Sequence, residues 1–283
     1  MTLSDEFHDL LKADDNVAAA RLVLDAPESA EREGLLALML HEGIGVEPDL
    51  DGCFDHAQKA SDGHDALGYF MMGYLCDNAE TPDQAEGGPR QQYDHYDAER
   101  FYELCSKQDS RWKDPAVLWM AEHYMDMAAG GDPEVGVEYY ESIADHNADA
   151  AACLSDYYWN LIMPLYLKDD EWEAQLIKWT TVAAEMLPEE YCHRMGWIYA
   201  DGIGCEASKE KAVEYFADAY EAGDWRGAAA IAKVYEEYLE ENSDLDAAEV
   251  DEIKAEIARC KQLVDEMCAE EAASDPDPSI DDD

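Results

Sequence analysis

Basic residues are scarce in this sequence: 19 Lys and Arg stand against 68 Asp and Glu in 283 residues, a formal net charge of −49. A chain so negative repels phosphate backbones and anionic lipid surfaces. That argues against direct nucleic-acid or membrane binding and makes basic protein segments the natural ligands. Long hydrophobic runs are missing as well. The most apolar stretch, Ala150 to Leu167, is interrupted by Ser155, Asp156, Asn160 and Pro164, which suits a buried helix and not a membrane span. The opening MTLSDEFHDLL has neither a basic segment nor an apolar run of leader length, so a cytoplasmic location is expected.

Catalytic and cofactor signatures are also lacking. There is no Gly-x-Gly-x-x-Gly, no phosphate loop, no His-Glu-x-x-His and no Cys-x-x-Cys. Gly43-Ile44-Gly45 and Gly202-Ile203-Gly204 follow helical patterns, whereas a nucleotide loop follows a strand, so both read as turns. His41, His56 and His64 fall near Glu42, Asp49 and Asp55, but their spacing matches no metal-ligand pattern. No carboxylate pair stands out among the 68 acidic side chains. The chain is therefore expected to be no enzyme and to hold no cofactor or metal. The eight cysteines show no regular spacing, and Cys260 and Cys268 stand roughly 12 Å apart on one predicted helix, too far to bridge; free thiols are expected.

What the sequence does contain is a repeated helical hairpin. In Tyr191 to Gly223, apolar Met195, Trp197, Ile198 and Tyr199 mark a first helix, Asp201-Gly202-Ile203-Gly204 breaks it, and a second runs from an N-cap at Ser208 through Ala212, Val213, Phe216 and Ala219. Leu36 to Val46 repeats the first helix and its Gly-x-Gly turn. Degenerate copies lie between and after, at the period of roughly 35 to 45 residues that marks a helical solenoid. A small residue recurs at Ala37, Gly73, Ala121, Ser155, Gly196 and Ala232, each preceded by an apolar one and followed three places on by Leu40, Cys76, Tyr124, Tyr158, Tyr199 and Tyr235. The second helices align at Ala57, Tyr102, Tyr140, Thr180 and Phe216. About six helix pairs follow.

These residues resemble the Sel-one-like repeat family, a relative of the tetratricopeptide repeats, over about Glu31 to Cys268; the first and fifth copies are the specific matches. The resemblance implies an all-α, α/α superhelical solenoid that serves as a protein adaptor without catalysis. Residues 1–30 are expected to form capping helices, Leu3 to Lys12 and Asn16 to Leu24. Residues 31–246 form the repeats, with an insertion loop at 78–96 and Asn147 in a left-handed cap closing the third. A capping helix should occupy 247–271, its apolar stripe made by Ile253, Ile257, Cys260 and Val264, and a disordered acidic tail 272–283.

The residues just after the small position, and those one turn on, vary in chemistry where the core columns do not. Variation of this kind at a fixed place in a scaffold is what a ligand-facing surface looks like. In related solenoids the first helices line the concave face, which would hold Tyr74, Glu122, Met125, Asp126, Asp156, Trp159, Trp197 and Asp201. An aromatic and acidic groove suits a segment carrying Lys or Arg. The expected function is a scaffold binding a basic protein partner there; the alternative is an acidic nucleic-acid mimic that decoys a DNA-processing protein. The oligomeric state is left open.

Overall fold

The computed structural model describes residues 2–78, 95–165, 168–242 and 244–274. Among them are fourteen α-helices, two short 3-10 turns and no strand. Of the insertion loop expected at 78–96, residues 79–94 lie outside the described residues, while His95 and Tyr96 already open a helix; of the acidic tail expected at 272–283, residues 275–283 lie outside them, while 272–274 continue the last helix. The chain divides into two compact units, residues 1–143 and 144–283.

In the first unit, α1 (Leu3–Lys12) and α2 (Asn16–Asp25) precede three hairpins: α3 (Ala30–Glu42) with α4 (Leu50–Asp62), α5 (Ala66–Asp77) with α6 (His95–Ser106), and α7 (Lys113–Met125) with α8 (Pro133–Glu141). In the second, α9 (Ala148–Ile162) pairs with α10 (Asp170–Met186), α11 (Pro188–Asp201) with α12 (Lys209–Glu221), and α13 (Arg226–Glu241) with α14 (Ala247–Ser274). Helix starts absorb part of the acidity. The carboxylates of Asp15, Asp49, Asp65, Asp132 and Asp169 each accept a backbone N–H of the first turn, where the helix dipole also favours negative charge. Asn147 does not take the expected left-handed conformation. It is extended, with φ −119°, and its side-chain oxygen accepts from Ala150 N, so it opens α9 instead of closing the hairpin before it.

The two Gly-x-Gly turns are the same structure. Gly43 and Gly202 are left-handed, at φ 70° and 66°, a conformation glycine adopts without Cβ strain. Ile44 N donates to Met39 O and Ile203 N to Ile198 O, both at 3.0 Å. Asp49 and Ser208 then cap the following helices through Gly52 N and Lys211 N.

The small-residue column is the axis of each hairpin. A Cβ on Gly73 would stand 3.0 Å from the Tyr102 ring, and one on Gly196 only 2.3 Å from Phe216. Ser155 instead shares a 2.7 Å hydrogen bond with Thr180, both fully buried. The preceding apolar column, Leu36, Met72, Met120, Leu154, Met195 and Ile231, is buried throughout. Of the column three places on, only Cys76 and Tyr158 are buried; Met39, Leu75, Ile198 and Val234, two places on, go deeper than their neighbours there. On α14, Ile257 and Cys260 are buried and Ile253 and Val264 partly so, against α13.

Candidate functional site

In the second unit the predicted residues come together in two clusters, each around a tryptophan. Asp156 and Trp159 lie one turn apart on α9, facing Tyr191 and Arg194 of α11. Arg194 Nη1 is 2.6 Å from Asp156 Oδ1 and donates to Ser155 Oγ at 2.8 Å. Its guanidinium lies 5.1 Å from the Trp159 ring centre and 5.0 Å from that of Tyr191, within cation–π range. The Tyr191 hydroxyl donates to Asp156 Oδ1 at 3.3 Å; burial first, then the Asp156 charge, push it up to about 12.

Trp197 forms the second cluster. Its indole N–H donates to His193 Nε2 at 3.2 Å, its ring meets Phe216 edge-on at 5.2 Å, and the Lys233 ammonium sits 4.5 Å from the ring centre. Because His193 accepts through Nε2, its proton is assigned to Nδ1, which faces the buried Asp224 carboxylate at 3.9 Å. Burial holds the His193 pKa below its usual value, against the pull of Asp224. Asp201, one turn after Trp197 at the end of α11, lies in the wall of a cavity of about 340 Å³ shared with Ile162, Met163, Lys168, Glu173 and Ile203.

In the first unit the predicted residues are dispersed. The Tyr74 ring meets His41 edge-on at 5.0 Å. Glu122 is exposed. Met125 packs toward α8, within 3 Å of where a Cβ on Gly136 would stand. Asp126 Oδ1 accepts from Ala128 N at 2.9 Å and so holds the 3-10 turn after α7. A cavity of about 620 Å³ in this unit lies elsewhere, among Asp5, Glu31, Asp65, Arg111 and Trp112. His41, His56 and His64 each bind a different group (Glu42, Glu33 and the Tyr69 hydroxyl), and among the described residues no three potential ligands gather to hold a metal.

Arg194 and Trp119 were missed by sequence reasoning, and they share a signal. Each stands two places before the small residue of its helix. From there Arg194 reaches back to Asp156 and Trp159 of the preceding first helix, and Trp119 reaches back to donate its indole N–H to Asp77 Oδ2 at 2.9 Å. Trp119 also stacks on Tyr102 and on His123, at 4.4 and 5.0 Å. The helical period places that position beside the varied columns of the neighbouring repeat, so within each unit the varied face carries contacts between first helices.

Comparison with known proteins agrees with this architecture. The Sel1 repeat family model matches residues 35–65 and 190–224, the first and fifth hairpins. The chain is similar in structure to the Sel1 repeat protein from Oxalobacter formigenes, at 14% identity and a TM-score of 0.54, over 93% of this chain and 97% of that one. It is also similar to c5321, a protective antigen of uropathogenic Escherichia coli strains with an SLR fold, at 17% identity and a TM-score of 0.59; there it is covered over 86% of its length but spans about half, 49%, of the antigen. At such identities the likeness carries the fold alone. The chain therefore carries Sel1 repeats at two hairpins and has the all-α repeat fold of these Sel1-like structures.

Proposed function

We propose that this protein is a non-catalytic, cytoplasmic scaffold that binds a basic protein segment on the exposed faces of its first helices. The Sel1 repeat is in general a protein–protein interaction scaffold, and among the described residues no helix is long and apolar enough to cross a membrane. The observation that supports a basic ligand is local: both tryptophans of the varied face in the second unit already lie beside a cation, Trp159 with Arg194 and Trp197 with Lys233. Aromatic faces and carboxylates arranged to hold a guanidinium or an ammonium in cis are chemically competent to hold one from a partner. Trp159 and Trp197 are the apolar anchors, with Asp156 and Asp201 as charge partners. Tyr74, Glu122, Met125 and Asp126 of the first unit form a separate, lesser contact.

The test is a pull-down from the native host with wild type beside Trp159→Ala/Trp197→Ala, followed by affinity measurement on the captured partner. Truncating an anchor should weaken binding by ~2 kcal/mol or more, mainly through faster dissociation. Neutralising Asp156 and Asp201 should slow association and flatten its salt dependence. Equal capture by both forms sinks the assignment. The net charge of −49 favours one rival, the decoy of a DNA-processing protein. In that case the captured proteins would be DNA-binding enzymes, free DNA would displace them, and the two tryptophans would hardly matter.

A further inference from the structure

We infer that Arg194 is the resident occupant of an arginine-selective cradle, and that a partner's arginine enters by displacing it. The inference rests on the reading of the second unit's first-helix face as a partner surface, and sharpens it to one side-chain chemistry at one place.

The cradle is made by Asp156, Trp159, Tyr191 and the Ser155 hydroxyl, and it has the shape of a guanidinium. Two aromatic rings lie 5.1 and 5.0 Å from the guanidinium carbon, with a carboxylate and a hydroxyl at its edge. A delocalised plane stacks on such rings and offers N–H groups along its rim; a compact ammonium does only the second. The Lys233 site differs in just this respect. It has one ring, Trp197, and its nearest acid, Glu237, is 3.9 Å away. It accepts any cation, whereas the Arg194 site discriminates.

The resident is also poorly engaged. Held by its backbone on α11, Arg194 uses only Nη1 for both polar contacts; among the described residues no hydrogen bond reaches its Nε or Nη2, or Asp156 Oδ2. An arginine free of that tether can form the two-pronged pair with Asp156, which is shorter and stronger than a single contact. Half of the Asp156 side chain is exposed, so Oδ2 is reachable before Arg194 leaves. The Arg194 side chain is about a fifth exposed, and when it leaves, Ser155 keeps its hydrogen bond with Thr180, so the exchange leaves no buried hydroxyl without a partner.

The experiment uses the full chain and two probes, acetylated hexa-arginine and hexa-lysine peptides, with affinities measured by calorimetry at fixed salt. Arg194→Ala should tighten hexa-arginine ~tenfold, as expected for a cradle that stands open about a tenth of the time. Hexa-lysine should gain no more than it does from Lys254→Ala, which removes the same charge at an exposed position of α14. Arg194→Met, which keeps an apolar stem along Trp159, should reproduce the arginine gain, and adding Trp159→Ala should abolish it. Equal gains for both peptides would mean that only charge was changed, and a weakened hexa-arginine complex that Arg194 belongs to the structure; either overturns the inference. Loss of folding in both Arg194 variants does so too, since an occupant the fold requires is not displaceable. In all three cases the scaffold reading survives if Trp159→Ala/Trp197→Ala still weakens both peptides, and falls with the inference if it does not.

Discussion

The fourth and fifth hairpins fill the same position in opposite ways. In α11–α12 the first helix contributes nothing at Gly196 and the second contributes the whole Phe216 ring, lying on the glycine Cα. In α9–α10 the two sides share the volume as Ser155 and Thr180, hydrogen-bonded at 2.7 Å and closed to water. Of these two, the fifth is matched by the family model and the fourth is not. The fold requires a filled space and satisfied polar groups, and glycine beneath an aromatic ring is one solution of several. The polar solution has a consequence the apolar one lacks: Ser155 Oγ offers an acceptor that Arg194 reaches at 2.8 Å, and the cation cluster is built on it.

Overpacking the fifth hairpin should have the largest effect. Gly196→Leu places carbon against the Phe216 ring, well inside van der Waals contact, and should destabilise by ~1–3 kcal/mol, read as a lower denaturation midpoint; Phe216→Leu in the same chain should recover part of it. An unchanged midpoint would mean the two helices slide freely, and the comparison would lose its basis. A smaller loss is expected in the fourth. Thr180→Val should cost ~1 kcal/mol by removing one partner of a buried pair while Arg194 still donates to Ser155 Oγ, and Ser155→Ala/Thr180→Val less than the sum of the single changes, because the bond the two hydroxyls share is lost only once. Strict additivity would show that the two hydroxyls stabilise independently.

The smallest effect is a pH slope confined to the fifth hairpin. Burial lowers the folded pKa of His193 from 6.5, with Asp224 opposing and Arg226 adding to the shift. The unfolded chain then binds the proton more readily. The stability contributed by neutral His193 is complete above about pH 6.5 and is lost as pH falls through that value toward the folded one. Protonation also takes Nε2 from the Trp197 N–H. Melting temperatures at about pH 7.5 and about pH 5.5 should differ less in His193→Gln than in wild type; identical slopes would place the titration elsewhere.

Much of this fold is legible in the sequence because helix pairs announce themselves through local chemistry. Ser208, Gly43, Gly202 and Pro188 act within one turn of where they stand, and the small column needs only the helical period to be found. Asn147 was misread for a physical reason. Asn suits both a left-handed end and an extended start, and only the turn that follows decides between them. The candidate site was half legible. The varied column pointed to Asp156, Trp159 and Trp197, but the side chains that engage them come from the neighbouring first helix, and pairing across repeats depends on how closely those helices lie. Single-helix periodicity carries no such distance, and Arg194 looked like any surface arginine.

The second glycine of each Gly-x-Gly turn has a different task from the first. A Cβ on Gly45 would stand 2.5 Å from Ala20 and 2.7 Å from the Asn16 carbonyl of α2, and one on Gly204 would stand 2.8 Å from Glu173 of α10. Each turn therefore seats its bare backbone on the helix before its own hairpin. In an array whose units are marginal alone, such seats decide whether neighbours melt together or one at a time. Gly45 and Gly204 are thus carriers of cooperativity. Alanine there should broaden the unfolding transition and lower its denaturant dependence while leaving each hairpin's own helices intact, so that the protein would fray in segments under stress instead of yielding at once.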